Sequence, residues 1–356
     1  MLPASVISTL GDMARVARPI GRIAKVALSL ALAAAILVFA VPRAGGVGWP
    51  EIWTAVAALT VSQVVVLAGV WFAGLWVHTL ALTAAMPGLS ARRALLLNLT
   101  GSSVSNLLPL GGAAGTVANY SMSRSWGFTP SAFARWALVT NIWDTLVKLA
   151  LPGVALCWLA AAGVDSDAGL SRMALVGGGL LLLAVLAAHT LARGERGAHS
   201  VGRAVDWLVR SVGRRPPADG GYAASAVRLR SDSADLIATS WARLTVGKAA
   251  YALLQAALLW LCLACLGTAP AAVIVFAAFA VERLLSMAVI TPGATGVVEV
   301  GMTGLLVALG TDPVTAAAGV LVYRAITFGL EIPVGGVGLL WWSLRRRSAR
   351  DLALAA

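Results

Sequence analysis

Three ionisable side chains, those of Glu299, Arg324 and Glu331, stand in a long apolar stretch of sequence that runs from Thr291 to Pro333. Apolar runs of this length are typical of the membrane interior. A charge at the centre of a bilayer costs on the order of 3 kcal/mol, so such residues normally face a partner, a cavity or a substrate path. Arg324 and Glu331 are seven residues apart, which places them on one face of a continuous helix. This stretch is therefore the candidate functional region.

The chemistry that suits these residues is the binding of a phosphate group. The guanidinium of Arg324 is planar, stays charged and offers paired donors to phosphate oxygens. The helix breakers Pro292, Gly293 and Gly296 precede Glu299, and a helix that starts after them would point backbone N–H groups at the same anion. We predict that Glu299 pairs with Arg324 when no anion is present, so that a ligand phosphate competes with Glu299.

Polar residues in the first half of the chain are further candidates. Asp144 and Lys148 stand four residues apart and can pair along one helix face, either as part of a site or as a pair that only lowers the cost of insertion. Asn119 and Asn141 could equally be hydrogen bonders in helix packing. The full set of candidate substrate-binding residues is Arg324, Glu299, Tyr323, Glu331, Asn119, Asn141, Asp144 and Lys148.

Composition limits the class of protein. Hydrophobic residues make up 59% of the 356 residues and charged residues 12%, with a mean hydropathy of +0.86. These values exclude an ordinary soluble domain and a disordered chain, and continuous apolar runs of about 20 residues favour helices over the alternating strands of a β-barrel. The formal net charge of +12 comes from Lys and Arg between the apolar runs, which indicates cytoplasmic loops and not nucleic-acid binding. The sequence predicts an all-α, polytopic helical membrane protein.

Other reagents of catalysis are missing from the sequence. No metal-ligand cluster, nucleophile motif or phosphate-binding loop accompanies the charged residues. We expect no cofactor, no metal and no catalytic residue. An intramembrane enzyme that uses Glu299 or Asp144 as acid or base is the weaker alternative.

The apolar runs also give the order of the helices along the chain. We predict helices over 24–42, 52–84, 94–123 with a break, 131–161, 170–192, 245–267, 271–309 with a break, and 314–342. A first half (1–192) and a second half (245–342) are joined by a basic loop with an interfacial helix (193–244) and followed by a tail (343–356). The Lys and Arg residues place this loop, the tail and both termini in the cytoplasm, as in a bacterial-type inner membrane.

Each half contains an apolar run broken by Pro and Gly, which we predict to form a helical hairpin. The Arg clusters on both sides of the first broken run lie in the cytoplasm, so this run must end on the side where it starts. Two full crossings or a re-entrant pair of short arms would do this, and the uncharged break favours the re-entrant pair. At an offset of 183 residues, Pro109 meets Pro292 and Pro130 meets Pro313, while the matched runs cross in opposite directions. The sequence thus predicts two inverted repeats, which in transporters place broken helices at the binding site. The predicted broken-helix residues are Asn106, Pro109, Gly111, Gly112, Gly115, Pro292, Gly293, Gly296 and Pro333.

The motifs of the second half resemble those of a known family. PGATGVVE at 292–299, the dipeptide of Tyr323 and Arg324, and the later Pro333 are similar to the PGGxGxxE, YR and Pro signature of the lysylphosphatidylglycerol synthase transmembrane region, also called the flippase-like membrane family. Ala294 stands where the second Gly of that signature is usual.

The first half resembles the corresponding N-x-x-P region of the family through Asn106, Pro109 and the Gly-rich segment that comes next. It departs from the family in lacking the Arg and the Gly-Glu that many members carry there. We therefore expect the charged contacts of the site to come from the second half.

The resemblance implies a membrane domain that moves lipids or lipid-linked carriers between leaflets. It does not imply synthase activity, since the members that aminoacylate lipids carry a large soluble domain after the membrane region. Our hypothesis is a translocase of an anionic lipid or a polyprenyl-phosphate-type carrier, with membrane lipids as its partners. The alternative is a non-transporting scaffold or accessory subunit for a lipid-modifying or glycosyl-transferring enzyme.

Overall fold

The computed structural model describes residues 31–107, 111–163, 179, 221–267, 269–287 and 291–355. Within these ranges the regular structure is entirely helical, which confirms the predicted all-α class. The N-terminal basic cluster, the predicted helix at 170–192, the predicted interfacial helix in the basic loop, and Pro109 lie outside the described residues.

The described helices are numbered in chain order. They are α1 (Ala31–Gly45), α2 (Trp49–Ala57), α3 (Val61–Ala85), α4 (Ala91–Leu107), α5 (Gly111–Ser125), α6 (Pro130–Ala161), α7 (Gly221–Leu266), α8 (Ala272–Leu285), α9 (Val297–Ala308), α10 (Pro313–Arg324) and α11 (Glu331–Ala355). A 3₁₀ turn (Pro292–Ala294) precedes α9, and π-helical turns occur inside α1 (Ile36–Ala40) and between α10 and α11 (Ala325–Gly329).

Four described stretches are long and apolar enough to cross a membrane. They are α3, α6, the part of α7 from Leu236 to Leu266, and the continuous run from Pro313 to Arg346. The pair α1 and α2, bent by 89°, forms a fifth candidate. The chain is therefore an integral membrane protein with several helical spans, as the sequence predicts.

Some helix boundaries differ from the predicted ones, and α11 continues to Ala355, past the predicted helix end at 342. The run predicted as a single helix over 52–84 is two helices, because Thr60 caps α3: the Thr60 backbone N–H donates to Gln63 Oε1 at 2.8 Å, and the Gln63 N–H donates to Thr60 Oγ1 at 3.4 Å. α7 begins at Gly221 and not near 245, since no Gly or Pro interrupts the chain between Tyr222 and Val246. Hydropathy identifies only the apolar part of such a helix.

Two hairpins of short helices form next to the long spans. The α4–α5 hairpin has arms of 17 and 15 residues, and the α8–α9 hairpin has arms of 14 and 12 residues. At 1.5 Å per residue these arms are about 18–26 Å long, shorter than the roughly 30 Å hydrocarbon core of a bilayer. These lengths favour the predicted re-entrant form over two full crossings.

Helix contacts repeat between the halves at the predicted offset of 183 residues. At this offset α4 corresponds to α8, and α6 corresponds to α10 and α11. α4 packs against α11, and in the same way α8 packs against α6. α3 packs against its own counterpart α7, with Gly74 beside Leu254 and Gly247 beside Ala81. Since contacts move backward along α7 as they move forward along α3, these helices are antiparallel. This is the arrangement that inverted repeats produce around an axis between α3 and α7, although the full inverted relation of the halves stays a prediction.

Candidate functional site

The break before α9 has a left-handed backbone that exposes main-chain polar groups. Gly293 and Gly296 have φ angles of 57° and 90°, and Ala294 between them has a φ of 54°. Glycine adopts such angles without the steric cost that other residues meet. The chain therefore leaves the helical path here, and the Gly293 carbonyl points away from the helix ladder and accepts a hydrogen bond from Arg324.

Arg324, the last residue of α10, is the centre of the site. Its Nε donates to Glu299 Oε1 at 2.8 Å, and its NH2 group donates to the Gly293 carbonyl at 2.9 Å. The guanidinium carbon lies 4.7 Å from the centre of the Phe328 ring, close enough for a cation–π contact. Arg324 is 9% exposed. The predicted pairing of Arg324 with Glu299 is present.

Glu299 connects Arg324 to the break. Its second oxygen, Oε2, accepts the backbone N–H of Gly296 at 2.6 Å, and the residue is 2% exposed. Glu299 lies in the first turn of α9, where the helix dipole favours a negative charge. The carboxylate thus occupies the position, between a guanidinium and a helix N-terminus, that a phosphate would otherwise suit.

A second ion pair lies beside the first. Glu282, which is 1% exposed, forms an ion pair with its neighbour Arg283, and its Oε1 lies 3.8 Å from the NH1 group of Arg324. The Tyr323 hydroxyl donates to Glu282 Oε2 at 3.5 Å. Sequence reasoning missed Glu282 as a site residue because adjacent helical residues normally point to different faces. The signal that could have found it is the charged dipeptide inside an apolar run.

Glu331 follows Arg324 after a π-helical turn. Its spacing predicts a helix face shared with Arg324, but the π-helical turn at Ala325–Gly329 lies between them. A π-helix hydrogen-bonds from residue i to i+5 and so shifts the angular register of the next helix. Glu331 is buried at the start of α11 and forms no ion pair with a described residue, and Pro333 nearby is exposed.

Asp144 also has a different partner from the predicted one. Lys248 of α7, which is 2% exposed, places its Nζ 2.5 Å from Asp144 Oδ1, so the ion pair joins α7 to α6 and does not run along α6 to Lys148. A buried ammonium without a carboxylate costs more free energy than a partly exposed ammonium does. This explains why Asp144 pairs with Lys248 and not with Lys148. Lys148 lies within electrostatic range of Asp144 and also of the Glu282–Arg283 pair.

The two asparagines of the first half have different surroundings in the structure. Asn119 lies against Gly101 of α4, and its Oδ1 is buried without a hydrogen-bond partner among the described residues. The Asn141 side-chain amide donates to the Ala137 carbonyl of its own helix at 2.7 Å and is exposed. In the described part of the chain, neither bonds to Arg324 or Glu299.

The predicted glycines of the first hairpin have separate roles. Gly115 of α5 packs closely against the Gly101 carbonyl of α4, whereas Gly111 starts α5 and Gly112 faces open space. Asn106 lies in the last turn of α4 and is partly buried. Within the described ranges, no group of three or more His, Cys, Asp or Glu is placed to hold a metal ion.

A helical membrane protein with two short broken hairpins and a buried Arg–Glu network is the class that this fold and site define. The family model of the lysylphosphatidylglycerol synthase TM region matches residues 26–335. The chain belongs to this family, as the residues at 292–299, 323–324 and 333 indicate. The membership gives it a lipid-related role in the membrane. A search of curated proteins found no match to the chain.

Proposed function

We propose that this protein moves an anionic lipid, or a lipid-linked phosphate carrier, between the two leaflets of the membrane. The observation that carries the proposal is the buried guanidinium of Arg324 at a helix break, held between Glu299 and the Gly293 carbonyl. A cation at this depth is costly unless it serves a partner or a passing substrate. The phosphate of a lipid headgroup is the substrate chemistry that Arg recognises best.

In this proposal Glu299 acts as a resident competitor of the substrate. The carboxylate uses two of the groups that a phosphate would use, the Nε of Arg324 and the N–H of Gly296. An arriving phosphate displaces Glu299, and Glu299 returns when the headgroup leaves. The exchange keeps Arg324 paired at both stages, so the buried cation never stands alone.

The charge balance of the site adds a requirement to this cycle. The network holds two cations, Arg283 and Arg324, and two carboxylates, Glu282 and Glu299, and is formally neutral. A phosphate monoanion would leave one buried negative charge uncompensated, which is unfavourable at low dielectric. We infer that loading is accompanied by a proton or a cation, or by movement of Glu299 toward water.

The hairpins supply the path in this proposal. Their short arms and broken backbones line a route for a polar headgroup while the acyl chains stay in lipid, because irregular backbone at membrane depth is tolerated against protein or a polar cavity. The lipid-related family supports this assignment. We place the protein in the inner membrane of a bacterial-type cell with both termini cytoplasmic, and we assign it no catalytic residue.

Reconstitution into liposomes tests the proposal. A fluorescent phosphatidylglycerol analogue in the inner leaflet is protected from dithionite added outside, so loss of protection measures transport. We expect wild-type protein to transport it, and Arg324→Ala to lower the rate at least tenfold, since the loss of a charged hydrogen bond is worth roughly 1.5–3 kcal/mol. Arg324→Lys keeps the positive charge but lacks the planar guanidinium, so we expect its transport rate to lie between those of wild type and Arg324→Ala.

The matched control is Arg43→Ala, which removes an exposed Arg whose guanidinium bonds only to the Phe39 carbonyl of its own helix among the described residues. This variant keeps the wild-type rate. Transport by folded Arg324→Ala equal to that of wild type rules out the role of this residue. Absence of transport by wild type, with stable co-purification of an enzyme that also binds Arg324→Met/Glu299→Gln, establishes the accessory-subunit alternative.

A further inference from the structure

A pocket of basic and aromatic side chains lies at one end of the helix bundle, away from the Arg324 network. Its volume is about 380 Å³, within the range of roughly 300–1,000 Å³ found for small-ligand sites. It lies among the start of α4, the end of α5 and the later turns of α11. The lining residues of this Arg–Trp pocket are Arg92, Arg93, Leu96, Ser125, Trp126, Trp341, Trp342, Arg345 and Arg346.

The packing of α4 against α11 builds the pocket. The Ser103 hydroxyl donates to the Ile332 carbonyl at 2.8 Å, and an added Cβ on Gly335 would overlap the Leu99 carbonyl, so the backbones touch here. The helices run antiparallel, and the start of α4 therefore meets the far turns of α11. The indole N–H of Trp342 then donates to Ser125 Oγ at 3.0 Å, which fixes the end of α5 on the same pocket.

Three of the four arginines lie over tryptophan rings. The guanidinium carbons of Arg93 and Arg345 are 5.2 Å and 4.4 Å from the ring centres of Trp126 and Trp341, and Arg346 is 5.5 Å from Trp342. Cation–π contacts at these distances hold the guanidinium groups beside the pocket, and each guanidinium carries five N–H donors with which it can bind an anion.

Arg92, Arg93, Arg345 and Arg346 form no ion pair with a carboxylate whose side chain the structure describes. Four like charges around one cavity repel each other, and the first turn of α4 adds the positive end of a 17-residue helix. Because all four arginines are exposed, water screens this repulsion, and a bound anion would still be attracted by the four charges and by the helix end.

The position of the pocket selects the kind of anion. The run from Pro313 to Arg346 is a candidate membrane span, and the pocket lies at its end, where Trp rings mark the headgroup layer of a bilayer. Leu96 and the Trp rings add an apolar wall beside the guanidinium groups. A phosphate on a glycerol backbone matches both surfaces, whereas an acidic protein segment would leave the apolar wall facing the acyl region.

We propose that the Arg–Trp pocket binds the phosphate headgroup of an anionic phospholipid. By the predicted orientation this lipid belongs to the cytoplasmic leaflet. The site is separate from the Arg324 network and does not depend on transport. It holds a lipid in place whether or not the protein moves one.

Native mass spectrometry of the full chain in detergent tests this proposal. Protein is titrated with phosphatidylglycerol and, in parallel, with phosphatidylcholine, and retained lipids are counted. We expect wild type to hold one phosphatidylglycerol more tightly than the rest. Arg93→Gln/Arg345→Gln weakens that binding at least tenfold, as expected for the loss of charged hydrogen bonds. Arg93→Lys/Arg345→Lys keeps the positive charges that set the membrane orientation but weakens binding severalfold, because Lys lacks the planar, two-donor geometry of the guanidinium.

The control Arg43→Gln/Arg243→Gln removes two exposed arginines elsewhere and keeps the tight lipid. Equal retention by all variants, or equal retention of phosphatidylcholine, overturns the proposal. A further arm adds inorganic phosphate: displacement of the lipid at millimolar phosphate assigns the site to free phosphate and overturns the lipid assignment. Capture of an acidic protein by the wild type in place of lipid overturns it as well.

Discussion

The two short hairpins have similar lengths but differ in the side chains that their arms carry. In α4–α5, Gly115 lies against the Gly101 carbonyl and Asn119 fills the space beside Gly101, so close backbone contact joins the arms. In α8–α9, the arms carry Glu282 and Glu299, which both approach Arg324. Both hairpins are closely packed, since Gly301 of α9 lies against Leu285 of α8, but the second also carries buried charges.

The difference teaches where chemistry can be placed on a repeated scaffold. The equivalent packing partners, α11 for α4 and α6 for α8, are kept in both halves, so the scaffold does not depend on the charges. Small residues suffice to bring helices together in a membrane. The ion network of the second hairpin is therefore free to serve a substrate, and its loss should affect the two hairpins unequally.

The largest expected effect is on the second hairpin. Arg324→Ala leaves Glu299 buried without its partner, and breaking a buried pair costs about 3–5 kcal/mol. Thermal unfolding of the protein in nanodiscs measures the loss of stability. Arg324→Met/Glu299→Gln removes both charges and should recover most of that loss while transport stays low. If the single variant is as stable as wild type, the ion network is not what holds this hairpin.

A smaller effect on stability is expected from substituting glycines in the two hairpins. Gly296→Ala places a side chain at a φ of 90° and a Cβ 2.7 Å from the Ile36 Cβ, at a cost of roughly 1–3 kcal/mol. Gly112→Ala meets nothing within 4 Å and should stabilise its helix by roughly 0.5–1 kcal/mol. The same unfolding measurement compares them. Equal destabilisation by both substitutions would contradict the distinction between strained and regular backbone.

The smallest effect concerns the packing of the first hairpin. Ser103→Ala removes the hydrogen bond to the Ile332 carbonyl and should cost about 0.5–1.5 kcal/mol without changing the transport rate. Ser105→Ala on the same helix is the control, and it should change stability less. A loss of transport with Ser103→Ala would show that the first hairpin takes part in the chemistry after all.

Much of the fold and the centre of the site could be predicted from the sequence. Apolar run length marks spans, and Pro and Gly mark breaks, because both act locally on the backbone. The Glu299–Arg324 pair could be predicted because two opposite charges in an apolar region must find each other. These inferences need no knowledge of which helices touch.

The remaining features depend on tertiary contacts that spacing does not reveal. The sequence pattern gives no partner to Lys248, at the start of the predicted helix over 245–267, yet Lys248 is buried against Asp144 on another helix. The π-helical turn that separates Glu331 from Arg324 has no clear mark in the sequence. The apolar surroundings of His78 predict a satisfied packing residue; it stacks on Tyr251 at 4.4 Å, but its ring nitrogens lack partners in the described part of the chain. The Lys248 ion pair and the His78 stacking each depend on a neighbour from a distant segment.

The contact between α4 and α11 can form only late in the synthesis of the chain. Ser103 and Ile332 are 229 residues apart, and at a synthesis rate of about 5–20 residues per second the second emerges roughly 10–50 s after the first. During this interval the face of α4 that carries Leu96, Leu99 and Ser103 lies in the bilayer without its native neighbour. The nascent first hairpin is therefore the stage at which insertion factors or premature pairing with another chain can act.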